Sequence, residues 1–224
     1  MPIEVEVRSW ISPSMQEKIR KKLARMRLLR SGKSLDLYYD TADFALLRHP
    51  QMVFFRLRER RLLQVKFDET TAPDQTPTCI EREFSLDMDR VFQELHELLQ
   101  TFLPNWQPAP RWQELLERNA LEELVRIDKH RRVYTDGPVI ISLDNVTDLG
   151  QFIEVEINCP EGADTREAQA QVEKILAELG GTPLKAGYFE MYVYSHKHEV
   201  YQLIPGRFQV EEALPPIRSW KGTR

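Results

Sequence analysis

The sequence predicts an α+β fold, a largely antiparallel sheet of eight strands with flanking helices, on three observations. Eight segments alternate apolar and polar residues with a period of two, and four carry apolar residues at i, i+3, i+4 spacing. Several neighbouring strand segments are joined by short turns such as Asp136-Gly137-Pro138, which favours antiparallel pairing.

In order along the chain, the first strand is IEVEVRSWI (3–11), with Ile3, Val5 and Val7 on one face and Glu4, Glu6 and Arg8 on the other. Residues 14–30 read as an amphipathic helix, because Ser14 and Glu17 have the spacing of a capping box and Gly32 supplies a stop. Strands follow at 34–41, 52–60, 62–69 and 79–86, with a loop from Asp68 to Thr78 marked by Pro73 and Pro77. Helices are predicted at 88–103, where Leu95, Leu98 and Phe102 share a stripe before Pro104, and at 111–125, with Trp112, Leu115 and Leu121. The last strands are 124–135, 139–146 and 151–158. A final helix runs from an Asp164/Glu167 capping box to the Gly180-Gly181 stop. After Ser195 the chain reads as a short helix and an irregular arm. His196 and His198 there are solvated, since no third metal ligand is near.

The 224 residues hold 42% hydrophobic and 29% charged side chains, enough apolar material for a core. No stretch approaches a membrane span and the start lacks a secretory signal, so the protein is expected to be cytoplasmic, with one domain over 1–195 and a tail over 196–224. Cys79 and Cys159 have no metal-ligand spacing and read as incidental thiols. With 31 Lys plus Arg against 35 Asp plus Glu the net charge is −4, so neither nucleic acid nor a membrane is an expected partner. The basic run containing Lys18, Lys22 and Arg27 has no interleaved aromatics and reads as a solvated face.

Charge is segregated by sign along the strand faces. Glu4 and Glu6, Glu81 and Glu83, and Glu154 and Glu156 form paired carboxylates, while Arg56, Arg58 and Arg60, Gln64 with Lys66, and Lys129 with Arg131 form basic faces. Like charges about 7 Å apart on one face repel unless an anion lies between them. If these faces point inward, the carboxylates and cations are tolerable only when paired, hydrated or bound to ions. Hard divalent metals on the oxygen ligands and phosphates on the arginines satisfy both sets, with Mg²⁺ or Mn²⁺ the natural metal.

Glu4-x-Glu6, Tyr38-Tyr39-Asp40-Thr41, Arg56-x-Arg58, Lys66, Glu81-Arg82-Glu83, Lys129-x-Arg131, Asp144, Glu154-x-Glu156 and Lys185 near Tyr188 together resemble the CYTH superfamily of triphosphate tunnel metalloenzymes, over roughly residues 3–192. The resemblance implies an eight-stranded antiparallel β-barrel forming a tunnel. It implies metal-binding roles for Glu4, Glu6, Asp144, Glu154 and Glu156, and a phosphate grip of Arg56, Arg58, Lys66, Lys129, Arg131 and Lys185. Glu83 matches the acidic position of the fifth strand. Arg8 stands where the family pattern ExExK has lysine, so the role of that position in orienting water is in question, since arginine does not readily deprotonate. Arg8, Lys66 and Glu83 are the candidate catalytic residues.

What the resemblance implies about activity is a metal-dependent triphosphatase, with inorganic tripolyphosphate the first substrate. Thiamine triphosphate is an alternative in which Phe54 replaces a stacking tryptophan. A class IV adenylyl cyclase and a non-enzymatic polyphosphate or nucleotide-binding module are the others. The expected partner is the small triphosphate, with a homodimer allowed.

Overall fold

In a computed structural model describing residues 3–68, 79–86, 89–160, 162–184 and 186–204, the alternating segments pair as antiparallel strands. In chain order the elements are β1 (Ile3–Trp10), α1 (Gln16–Leu23), β2 (Arg27–Thr41), β3 (Phe54–Arg58), β4 (Leu62–Asp68) and β5 (Cys79–Ser85). Then come α2 (Asp89–Phe102), α3 (Trp112–Arg118), β6 (Leu121–Asp136), β7 (Val139–Val146), β8 (Gly150–Cys159), α4 (Arg166–Leu179), α5 (Tyr188–His196) and α6 (His198–Tyr201). The eight strands hydrogen-bond in the order β1-β8-β7-β6-β2-β3-β4-β5. The α+β class and the antiparallel sheet are therefore as the alternation predicts. No helix of the described residues is long and apolar enough to cross a membrane. Of the loop predicted over Asp68–Thr78, Asp68 is the last residue of β4 and 69–78 lie outside the described residues, as does the arm beyond residue 204.

The described residues form two compact units, one from residues before 35 and from 128–195, the other from 35–127 and 196–204. In the first unit α4 packs on β1 and β8, and the buried faces of Val5, Val7, Ile141, Ile153 and Val155 meet Val172 and Leu176. Gly180 ends α4 at φ 86°, a left-handed cap that a Cβ would strain. In the second unit Phe55, Leu57, Leu63 and Val65 meet Leu95, Leu99, Phe102 and Leu115 from α2 and α3. In both, apolar residues of period two face apolar residues of period 3.6.

Three predicted helix bounds are corrected. The helix over 14–30 ends at Leu23, and Arg27–Ser34 is instead the first half of β2, because ladder bonds to a neighbouring strand outweigh a weak local helix preference. The Ser14/Glu17 capping box does not form: Ser14 Oγ bonds Ser12 Oγ and Glu17 pairs with Arg20. The helix over 111–125 stops at Arg118, where Asn119 Nδ2 donates to the Leu115 and Gln107 carbonyls and Ala120 takes φ 48°. Leu121 and Val125 thus belong to β6. Before α4, Asp164 accepts the Arg166 N–H, and Glu167 closes no box. The third strand is also shorter than the predicted 52–60. Glu59 and Arg60 form a turn with positive φ, which removes Arg60 from the basic face of Arg56 and Arg58.

Asp40, within the Tyr38–Thr41 motif, has a structural task. Its buried carboxylate accepts the backbone N–H groups of Thr41, Leu46 and Leu47 at 2.8, 2.9 and 3.0 Å, fixing the loop that seats Leu46 and Leu47 in the core. Asp40→Ala removes the acceptor from three donors and is expected to cost about 2–4 kcal/mol in urea unfolding. An unchanged midpoint would contradict this role.

Candidate functional site

The first unit gathers its charged residues through strand register. Arg8 on β1 faces Glu154 on β8, Glu6 faces Glu156, and Arg131 on β6 faces Asp144 on β7. Period two then puts Glu4, Glu6 and Arg8 on the same face as Glu154 and Glu156. Arg8 Nε donates to Glu154 Oε1 at 2.6 Å, and Arg131 Nη2 donates to Glu154 Oε2 at 2.5 Å. Arg131 also grips both oxygens of Asp144, and Lys129 Nζ lies 4.0 Å from Asp144 Oδ2. Glu154, Asp144 and Lys129 are all buried. Eight of the predicted site residues therefore fall in this one unit.

Tyr188, at the start of α5, joins these groups. Its Oη donates to Asp144 Oδ2 at 2.8 Å, while its ring lies 4.6 Å from the Arg8 guanidinium carbon and 5.1 Å from Lys129 Nζ. An aromatic face attracts cations at such distances. The Leu184 N–H donates to the Arg8 carbonyl at 2.7 Å and ties the segment before α5 to β1. Lys185 lies outside the described residues.

Electrostatics divide the carboxylates into two kinds. Burial alone would raise Glu154, yet Arg8, Arg131 and Lys129 hold it down at about 2, so it is an anion fully committed to cations. Partial burial followed by the charges of Glu156, Glu6 and Glu154 pushes Glu4 up to about 7. Burial, then Glu154, pushes the Tyr188 hydroxyl well above its ordinary value, so it remains a donor. Burial opposes the charge on Arg8, but Glu154, Tyr188 and Glu6 together more than compensate and the guanidinium stays cationic.

A carboxyl that keeps a proton near neutral pH beside other carboxylates, as Glu4 does, offers the donor chemistry of a hard divalent cation, which would relieve the repulsion. Glu4, Glu6 and Glu156 thus fit Mg²⁺ or Mn²⁺. Among the described residues no three Asp, Glu, His or Cys side chains already form a metal cage, and the buried carboxylates Glu154 and Asp144 are turned to arginine.

The second unit holds the other predicted basic residues. Arg58 Nε donates to Asp36 Oδ1 at 3.0 Å, and Arg56 donates to Gln64 Oε1 at 2.7 Å and to Tyr38 Oη at 3.2 Å. Gln64, buried, donates in turn to Glu81 at 2.6 Å and to Glu83. Lys66 is half exposed, 3.9 Å from Glu81. Asp36 corrects the argument that Arg56 and Arg58 require an external anion: it is buried, faces Arg58 by register and supplies the counter-charge.

Asp36, Tyr38, Gln64 and Tyr188 are the members to which sequence reasoning assigned no role. The parity of SLDLYYDT, with Asp36 and Tyr38 on one face, is the signal that could have found the first two.

The family model described as CYTH domain matches residues 2–186. A search of curated proteins found no match. Among solved structures, the PH1819 protein from Pyrococcus horikoshii OT3 is similar in fold, with a TM-score of 0.57 and 24% identity over 87% of this chain and 100% of that chain. A Hippeastrum protein, HpAC1, described as an adenylyl cyclase candidate with a dominant triphosphatase activity, gives a TM-score of 0.52 at 18% identity over 97% and 99% of the two chains. An adenylate cyclase candidate from Vibrio parahaemolyticus gives 0.50 at 13% identity over 84% and 95%.

The raised carboxyl of Glu4 predicts a pH dependence with a definite sign. A folded-state pKa above the unfolded value contributes stability that is fully present below about 4.5 and is lost as pH rises through about 7. Metal-free protein should therefore lose part of its melting temperature between those values by calorimetry, and Glu4→Gln should flatten that loss. Mn²⁺ added above pH 7 should recover it in the unsubstituted protein. Glu154 acts in the opposite sense and only below that window, its contribution vanishing as pH falls toward about 2.

Proposed function

The chain belongs to the CYTH domain family, and on that premise we propose that it is a divalent-metal-dependent hydrolase of a triphosphate, inorganic tripolyphosphate before others. One observation carries the reading: in a single unit Glu4, pushed up to about 7 by partial burial and then by the carboxylates Glu156, Glu6 and Glu154, stands on the same sheet face as Arg8, an arginine braced by a buried carboxylate and an aromatic ring. A simple anion binder has no use for the crowded carboxylates.

When bound, a divalent cation held by Glu4, Glu6 and Glu156 would neutralise phosphate-oxygen charge as a Lewis acid. The chain's own residues do the rest. Glu154 occupies the Arg8 Nε and one Arg131 N–H, leaving further guanidinium donors for phosphate oxygens. Because Asp144, Glu154 and Tyr188 already hold Arg8, Lys129 and Arg131, little side-chain freedom is lost when an anion arrives. Arg8 remains protonated, so its task is to orient and stabilise charge, not to abstract a proton from water. Arg56, Arg58 and Lys66 are assigned to phosphate binding by their match to the family motif, with Asp36 and Gln64 positioning the two arginines.

Phosphate release with Mg²⁺ or Mn²⁺, measured over tripolyphosphate, thiamine triphosphate and ATP with cAMP followed in parallel, tests the reading. Tripolyphosphate is expected to turn over fastest, with Glu4→Gln and Glu154→Gln each losing about a hundredfold or more in kcat. Cyclic AMP as the main product, or full activity in both variants, would overturn it. Tyr188→Phe keeps the ring and should change KM little, whereas Tyr188→Leu removes the brace and should raise KM several-fold.

A further inference from the structure

The first seven residues of β2, Arg27–Lys33, are exposed at every position. Successive residues of a strand point to opposite faces, so here neither face is covered. A Cβ built at Gly32 would meet nothing within 4 Å, which is the same open surroundings seen from the backbone. Within this stretch Leu28 and Leu29 are 50% and 45% exposed, and they are the two exposed large hydrophobic side chains among the described residues.

Those leucines stand in the densest run of positive charge in the chain. From residue 16 to residue 33 there are eight lysines and arginines against one carboxylate, in a protein whose net charge is −4. All eight are exposed except Lys22, which is half-buried. The single carboxylate, Glu17, is itself engaged by Arg20 at 2.7 Å and Lys21 at 3.6 Å. α1 buries Ile19 and turns its basic side chains outward, and the strand continues the same sign after a three-residue turn.

We propose that this surface, the outer face of α1 with the first half of β2, docks on an anionic lipid bilayer. Phospholipid headgroups would take the cations, and the headgroup–acyl boundary would take whichever of Leu28 and Leu29 lies on the face turned to the bilayer. Two other occupants fit less. A second copy meeting this surface through a two-fold axis would set eight cations against eight, and a head-to-tail copy offers no other exposed large hydrophobic among its described residues. A nucleic acid would use the cations but not the leucines, and residues 16–33 contain no aromatic side chain on which a base could stack. The inference is independent of the catalytic reading, because none of these residues belongs to either charged group described above.

The experiment is co-sedimentation of the full chain with vesicles of phosphatidylcholine alone or containing about one quarter phosphatidylserine, at moderate and high salt. Binding is expected only with phosphatidylserine and should weaken at high salt. Arg25→Gln/Arg27→Gln/Arg30→Gln should lower the partition coefficient about a hundredfold, and Leu28→Ser/Leu29→Ser about fivefold with the salt dependence kept. Unchanged melting temperatures and unchanged tripolyphosphate hydrolysis would show that both variants are folded. Absence of binding to the anionic vesicles overturns the proposal. So does binding indifferent to the leucine substitutions and displaced by a single-stranded RNA, which would mark a nucleic-acid surface. Self-association without vesicles that the arginine variant abolishes would mark a second copy and overturn it equally.

Discussion

Glu154 is the constraint on which the first unit's charged face depends. It is buried, its two oxygens are taken by Arg8 and Arg131, and its pKa is held down at about 2 by those cations and Lys129. Remove the carboxylate and two guanidiniums lose their shared anchor, the kind of loss that costs about 3–5 kcal/mol when one partner of a buried pair is deleted. Because Arg8 and Arg131 arrive from β1 and β6, with β8 and β7 between them in the sheet, the ion pairs also reinforce the register that placed them. Charge and topology here support each other.

The same arrangement explains why carboxylates alike in sequence differ in chemistry. Glu4 and Glu154 both belong to Glu-x-Glu pairs and both lie on the charged face. Glu154 is surrounded by cations and cannot hold a proton, whereas Glu4 is surrounded by carboxylates and keeps one to about 7. A polyvalent cation lowers the energy of the second environment far more than of the first, which is already neutralised. Among these carboxylates Glu4 is the one whose surroundings a cation would relieve most, whereas Asp144 and Glu154 are held by arginine and Glu6 lies 3.3 Å from Arg8. In the second unit Gln64 does comparable work without a charge: its amide accepts from Arg56 and donates to Glu81 and Glu83, and Arg56 Nη2 also lies 3.5 Å from Glu81.

Strand parity was legible in the sequence because it needs only a two-residue period, and it assigned Glu4, Arg8, Arg56, Arg131 and Glu154 to charged faces correctly. Register was not legible, since it depends on which strands become neighbours. That is why Asp36, opposite Arg58, went unrecognised and why the repulsion between Arg56 and Arg58 was taken to require a bound anion. Tyr188 was visible beside the late lysine of the family pattern, but its contacts with Arg8, Lys129 and Asp144 come from residues more than forty positions away. Helix ends failed for a related reason. Residues 27–30 and 121–125 carry side chains that suit a helix, and only β2 and β6 lying side by side in the sheet make them strand.

That last failure bears on the basic segment as well. Read as a helix, residues 23–30 would set Leu23, Met26 and Leu29 at successive i, i+3 positions, with Leu28 off that stripe. As a strand they send Leu28 and Leu29 to opposite faces, and both are found exposed. The sheet thus carries Arg27, Arg30 and Lys33 together with its most exposed large apolar side chains on one short piece of β2, before the residues where Leu37 and Tyr39 are buried. Burial would require a partner surface both apolar and anionic, and the overall charge of −4 gives no hint of it. The number that first argued against an anionic partner is an average over regions of opposite sign, and binding responds to the local field within about 10 Å, not to the average.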